Sequence, residues 1–298
     1  MPVDCAIVGG GPAGLNAALV LGRARRSVIL FDDNKPRNAV TKESHGFITR
    51  DGIQPNEFRR IAHQDIEIYP SIEIKADTIV EIKQENSVFT LVTEKGHSFE
   101  AKKIILATGL KEVLPELDRV KEYYGKSLFN CPFCDGWELR DKALVVISGH
   151  PAVFHVVKNL YNWSKNLVVC TNGTSIITEE QKEQLLQKGI PVYEQKISSL
   201  VGQNGMLEKI ILEDQTEIER EGGLISPDWV PASFGKDLGC KTNDYGGIEV
   251  DDFGRTSVPG VYVAGDATSI LIKQLIVAAG EGNKAAIGVC SDLIQDEF

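Results

Sequence analysis

The chain has 298 residues, 42% of them hydrophobic, and a formal charge of -10. That length buries a sizeable core and predicts two domains, and the acidic balance argues against nucleic acid or an anionic membrane as a partner. No stretch reaches the roughly 20 apolar residues of a membrane span, and a core-strand pattern that begins almost at Met1 leaves no leader expected.

Cys5 to Val8 is an apolar strand, followed by Gly9-Gly10-Gly11-Pro12-Ala13-Gly14, a helical stretch from Leu15 to Gly22, and a second strand, Val28 to Phe31, closed by Asp32. This is the order of a dinucleotide-binding unit, with Gly9, Gly11 and Gly14 on the G-x-G-x-x-G positions. The first glycine allows the tight turn, the second lets backbone approach a pyrophosphate, and the third lets helix pack on strand. The helix N-terminus beside Pro12 and Ala13 would hold the phosphates, and Asp32 is placed to accept from a ribose hydroxyl.

Residues 36 to 52 read as a polar loop over a cofactor. His45 within it is a candidate cofactor contact, although a histidine in such a loop is more often a surface group. A helix is predicted over Asn56 to Gln64 and several strands between Ile66 and Ala101. Lys103 to Ala107 is a strand that runs into Thr108-Gly109, where backbone could pass close to a ligand.

Asn130-Cys131-Pro132-Phe133-Cys134-Asp135-Gly136-Trp137 carries the chemistry. Two thiols at this spacing can close and reopen a disulfide, one attacking and its neighbour resolving the mixed disulfide. A pair that starts a helix gains thiolate character. Asp135 puts a carboxyl within reach of the sulfurs, able to carry protons. Cys5, Cys170, Cys240 and Cys290 are isolated and read as small buried hydrophobes of a cytoplasmic protein, not as a secreted disulfide framework.

Strand (Ala143–Ile147), helical stretch (Val153–Trp163) and strand (Leu167–Cys170) then repeat the first pattern, but the turn is Ser148-Gly149-His150-Pro151-Ala152-Val153. Ser148, His150 and Val153 stand where the fingerprint wants small residues. His150 and Pro151 would crowd a pyrophosphate and remove a backbone donor. No arginine follows the second strand to meet a 2′-phosphate. A helix is predicted over Glu179 to Lys188, strands over Val192 to Ile197 and Leu207 to Glu213, and loop from Gly222 to Gly239. Val261 to Ala264 is a strand ending in Gly265-Asp266, where Asp266 could bind a ribityl or ribose hydroxyl. Lys273 to Leu293 is a helix whose N-terminus, at Gln274 and Leu275, could stabilise charge on a reduced ring.

Gly9 to Gly14, Ala107-Thr108-Gly109, Cys131-Pro-Phe-Cys-Asp-Gly and Val263-Ala-Gly-Asp, in this order, resemble low-molecular-weight thioredoxin reductases over essentially the whole chain. The resemblance implies an α/β fold of two Rossmann-like, three-layer ββα domains, one inserted in the other. An FAD-binding domain would occupy residues 1–112 and 241–298, with residues 113–240 carrying the cysteine pair, and the protein would be a homodimer. It further implies that Cys134 faces the flavin, Cys131 exchanges with substrate and Asp135 is the acid/base. Val80 would lie near adenine, and Gln274 and Leu275 near the isoalloxazine ring. At the second turn the sequence is more similar to dithiol oxidases of the gliotoxin and holomycin type, which implies weak or absent NADPH use.

An FAD-dependent thiol–disulfide oxidoreductase is therefore the leading expectation, its partner a thioredoxin-like protein or a small dithiol or disulfide. Alternatives are an oxygen-dependent dithiol oxidase and an electron carrier fed by ferredoxin or flavodoxin. The spacing of Cys131, Cys134, His150 and His155 also fits a Cys2His2 zinc site, the least favoured reading because a full strand intervenes.

Overall fold

The computed structural model of the chain describes residues 1–268 and 272–298. Two compact units divide it: Met1–Ala39, Gly46–Lys111 and Trp229–Phe298 form the first, and Val40–His45 with Glu112–Asp228 form the second. Each is a Rossmann-like arrangement, around a mixed sheet in the first unit and a wholly parallel one in the second.

The first unit opens with β1 (Val3–Val8), α1 (Pro12–Arg23) and β2 (Val28–Phe31). Proline occupies the first turn of α1 and again of α2 (Pro55–Glu67), where a missing N–H costs nothing. β3 (Ile72–Lys75), β4 (Ile79–Glu85), β5 (Val88–Thr93) and β6 (Ser98–Leu106) follow, and β7 (Leu110–Val113) leads onward.

The second unit contains α3 (Val120–Tyr123), β8 (Leu128–Phe129), α4 (Pro132–Asp135), β9 (Leu144–Ile147), α5 (Val153–Leu160), β10 (Leu167–Cys170) and α6 (Glu179–Gln187). A capping box between Thr178 and Gln181 starts α6. β11 (Val192–Tyr193), β12 (Ile197–Gln203), β13 (Met206–Leu212), β14 (Glu217–Glu219) and β15 (Gly222–Ile225) complete it. The five-stranded sheet runs β11-β10-β9-β15-β8, all parallel, and β12-β13-β14 form a separate antiparallel sheet.

Two expectations change here. The single strand predicted over 192–197 is two: β11 ends the parallel sheet, while the Ile197 N–H donates to Asn172 Oδ1 and begins a strand of the other sheet. The loop predicted from Gly222 is instead β15, buried between β9 and β8. A Cβ on Gly223 would overlap the Val145 carbonyl, so the glycine serves a close approach of strands, not a turn.

Back in the first unit come β16 (Asp228–Pro231), α7 (Phe234–Asp237), β17 (Val261–Val263) and the long α8 (Leu275–Glu297). The first sheet has the order β3-β2-β1-β6-β5-β4, with β17 pairing β6. Register aligns Val8 with Phe31 and with Leu106, and Leu106 with Val263. The residues that follow, Gly9, Asp32, Ala107 and Ala264, therefore share one edge, the carboxyl end where open α/β sheets bind ligands.

α1 and α8 pack so closely that a Cβ on Gly282 would overlap the Ala13 carbonyl. Gly282→Ala is expected to destabilise the protein by about 1–3 kcal/mol, because backbone must shift to admit the methyl, and a lower thermal midpoint would register it. Among the described residues, no helix is long and apolar enough to cross a membrane.

Candidate functional site

The predicted site residues fall into two groups. Gly9, Gly11, Pro12, Ala13, Gly14, Asp32, Val80, Thr108, Gly109, Gly265, Asp266, Gln274 and Leu275 belong to the first unit, and His45, Cys131, Cys134 and Asp135 to the second.

In the first unit, Gly9 has φ 112° and its Cβ position is filled by the Ala107 carbonyl, while that of Gly14 is filled by the Gly9 carbonyl. These two glycines are required by packing. Gly11 differs: it caps α1 with ordinary dihedrals, no side chain caps the helix, and a Cβ there would meet nothing. The first N–H groups of α1 thus face an open cradle, the arrangement that holds a pyrophosphate. Gly109 (φ 61°) also borders open space, and Gly265 approaches Ala13, so the glycine turn and Gly265 converge. The chain fits a dinucleotide here.

Acidic residues at the strand ends are already engaged. Asp32 is buried and paired with Arg59, and its Oδ1 accepts from the Asn34 N–H at 2.9 Å. Asp266 accepts from Arg37 at 3.0 Å; burial pushes its carboxyl up and the guanidinium opposes this. Glu281, on α8, accepts from the Gly265 N–H at 2.8 Å and the Thr268 hydroxyl at 2.9 Å, fixing the turn that carries Asp266. Gln274 is the N-cap of α8 and Leu275 its first residue. Val80 lies on β4, 54% exposed. Arg59 and Glu281 escaped the sequence reading; Arg59 sits on the buried stripe of α2 with Pro55 and Ile66, and a charge on such a stripe is the signal.

In the second unit, β8 ends two residues before Cys131, which caps α4 and is disulfide-bonded to Cys134. The Cys134 and Asp135 N–H groups both donate to the Cys131 carbonyl at 3.2 Å. Gly136 admits no side chain, because a Cβ would overlap the Pro132 carbonyl and the Trp163 ring. Phe133 and Trp137 are exposed beside the sulfurs, Phe133 edge-on to Trp163. The helix predicted to begin at the pair is a single turn, so a long helix dipole is not available to lower a thiol pKa. Asp135 follows Cys134 directly. Burial, aided by the charge of Glu138 and opposed by His45, pushes its carboxyl up to about 7, where it can both give and take a proton.

His45 stands beside this turn, with Nε2 3.7 Å from Glu138 Oε1 and 3.9 Å from Glu43 Oε2. Cys5, Cys170 and Cys240 are buried, and burial pushes the Cys170 thiol up to about 12. At the second turn, His150 Nδ1 accepts the Ala152 N–H at 3.1 Å, so the imidazole takes a donor that would otherwise face a phosphate. Among the described residues, no three His, Cys, Asp or Glu side chains group as a metal site, and the Cys131 and Cys134 sulfurs are bonded to each other.

The model of the family described as pyridine nucleotide-disulphide oxidoreductase matches residues 3–282. A protein of Arthroderma benhamiae named "Probable thioredoxin reductase" is 31% identical, over 98% of this chain and 81% of its own length. The structure of a thioredoxin reductase-type protein, TrxB, from Bacillus anthracis superposes with a TM-score of 0.96 at 45% identity, covering 99% of this chain and 100% of that one. The structure of HlmI gives 0.94 at 31% identity, covering 99% and 94%.

Proposed function

This chain belongs to the pyridine nucleotide-disulphide oxidoreductase family, as a thioredoxin reductase-like enzyme, and on that premise we propose that it passes electron pairs between FAD and the Cys131–Cys134 disulfide. The substrate is a dithiol or disulfide, either a small molecule or a thioredoxin-like protein. The observation that carries this reading is the Cys131–Cys134 disulfide on a half-buried turn, followed directly by Asp135, whose carboxyl burial pushes up to about 7.

The first unit is the FAD-binding domain. Gly11, Pro12, Ala13 and Gly14 hold the pyrophosphate against α1, and Asp32 meets the ribose. Val80 borders the adenine, and Thr108-Gly109 lines the cleft. Gly265 and Asp266 hold the ribityl chain, while Gln274 and Leu275 lie by the ring. When bound, FAD supplies the two-electron chemistry. The second unit supplies the thiol relay: Cys131 exchanges with substrate, Cys134 is the flavin-facing thiolate, and Asp135 moves the proton. His45, on the sequence a cofactor candidate, stands with Glu138 and is assigned to the thiol side.

The His150–Pro151 turn favours a dithiol over a nicotinamide as electron donor. An occupied donor and a crowded turn cost about 3 kcal/mol, roughly 100-fold. In an anaerobic absorbance titration of the flavin with NADPH, NADH, a dithiol and reduced ferredoxin, the dithiol is expected to bleach it stoichiometrically. Both nicotinamides should react at least about 100-fold more slowly. Stoichiometric bleaching by low NADPH removes the dithiol-fed reading, and a response to ferredoxin alone selects the electron-carrier alternative.

A further inference from the structure

Gly10 stands at a position where the glycine fingerprint admits any residue, yet a Cβ there would overlap the Asp32 carboxyl. The carboxylate is therefore folded onto the turn that leads into the α1 cradle. Arg59, on α2, holds it there. Its side chain is 10% exposed; Nη2 donates to Asp32 Oδ2, and Nη1 donates to Asn34 Oδ1 at 2.8 Å. The Asn34 N–H closes the ring by donating to Asp32 Oδ1 at 2.9 Å, with Asn34 itself in the left-handed conformation that asparagine tolerates (φ 59°). We propose that Arg59 is a positioning residue for cofactor selection: its planar fork, set between Asp32 and Asn34, locks the Asp32 carboxylate in the orientation that accepts from the ribose hydroxyls of an adenosine, so that the first unit demands the 2′-hydroxyl. The inference rests on the reading of the first unit as the FAD-binding domain and deepens it.

The count of acceptor positions supports this. A carboxylate offers about four, and Asn34 and Arg59 take one on each oxygen. His63 Nε2, 4.0 Å from Oδ2, is beyond hydrogen-bond reach. Among the described residues, one position on each oxygen is left, matching the two O–H donors of a cis-diol. The pair also borders open space. A cavity of about 670 Å³ lies beside it, lined by residues that include Asp32, Asn34, Asn56, Arg59, His63 and Ala76.

As a contribution to stability the same arrangement is poor. Arg59 Nε is buried without a partner, and apolar side chains of similar volume commonly match or better a buried ion pair. What the guanidinium adds is direction: only a planar fork spans a carboxylate and an amide oxygen at once, which an ammonium cannot do. The next residue, Arg60, pairs instead with Glu57.

The test compares two ligands on the apoprotein by fluorescence titration: FAD, and an FAD analogue whose adenosine lacks the 2′-hydroxyl. Wild type is expected to prefer FAD by about 10–100-fold, the range for a hydrogen bond to a charged acceptor. Arg59→Met keeps an apolar stem but no guanidinium. It should bind FAD about tenfold more weakly and the analogue nearly as before, shrinking the preference to within about threefold of unity. Arg60→Met should keep the wild-type preference; its loss there too would make the effect one of general charge and overturn the inference. If Arg59→Met does not fold, Arg59→Lys carries the same test, because it keeps the charge without the fork. Its preference should fall at least about threefold below wild type. An Arg59 variant that weakens both ligands alike has lost only a structural contact, and that result overturns the inference alone, as does a wild type that binds the two ligands equally. Wild-type apoprotein that binds neither overturns the FAD reading of the first unit with it.

Discussion

Cys134→Ser is expected to abolish dithiol-driven bleaching of the bound flavin under anaerobic conditions, with a rate loss of about a thousandfold or more. The size of the effect follows from the chemistry. A disulfide relay works only if both sulfurs take part, and a serine hydroxyl can neither form the S–S bond nor leave as a low-energy anion. The other cysteines cannot substitute. Burial pushes the Cys170 thiol up to about 12 and raises that of Cys5 as well, and both are buried, whereas Cys131 and Cys134 are only half-buried. Cys170→Ser therefore serves as the control and should leave the bleaching rate within about twofold of wild type. Unaltered bleaching in Cys134→Ser would separate the flavin from the disulfide and end the relay mechanism.

What could be read from the residues, and what could not, divides along the range of the interactions. The strand–turn–helix–strand order at the start of the chain is local, and it placed Gly9 and Asp32 at strand ends; that Ala107 and Ala264 share their edge emerges only when β6 pairs with β1 and β17. The single-turn length of α4 was not legible, because Gly136, which follows it, still has right-handed helical dihedrals, φ -64° and ψ -31°. Gly222 and Gly223 look like punctuation in a one-dimensional string; their use, letting β15 slide against Val145, exists only once the sheet is assembled. His45 shows the same limit most sharply. Nothing in residues 40–45 says that they pack with a unit that begins at Glu112, so the neighbours Glu138 and Asp135 could not be assigned to it. Asp32 was found from its strand-end position, whereas Arg59, its buried partner, depended on α2 packing beside α1 so that its side chain reaches the end of β2.

Gly11 and Gly14 allow cofactor binding and folding to be separated within one motif. Gly14 has the Gly9 carbonyl where a Cβ would go, so Gly14→Val must push backbone against backbone. A loss above about 3 kcal/mol is expected, enough to compromise the fold whether or not FAD is present. Gly11 has nothing in the corresponding place and adopts φ -78° and ψ -177°, a conformation open to any residue. Gly11→Val should therefore fold, paying about 1 kcal/mol for a poorer helix cap. Its isopropyl group would instead project into the cradle in front of the first N–H groups of α1, where a pyrophosphate must come close. FAD affinity is expected to fall at least about 100-fold, close to 3 kcal/mol. Thermal melts of the two apoproteins read the first difference, and fluorescence titration with FAD reads the second. If Gly11→Val keeps stoichiometric yellow colour, the phosphates are not held at this turn, and the assignment of the first unit to FAD loses its physical basis. If Gly14→Val melts like wild type while Gly11→Val does not fold, the division of labour between the two glycines is reversed, and with it the inference that only one of them faces the ligand.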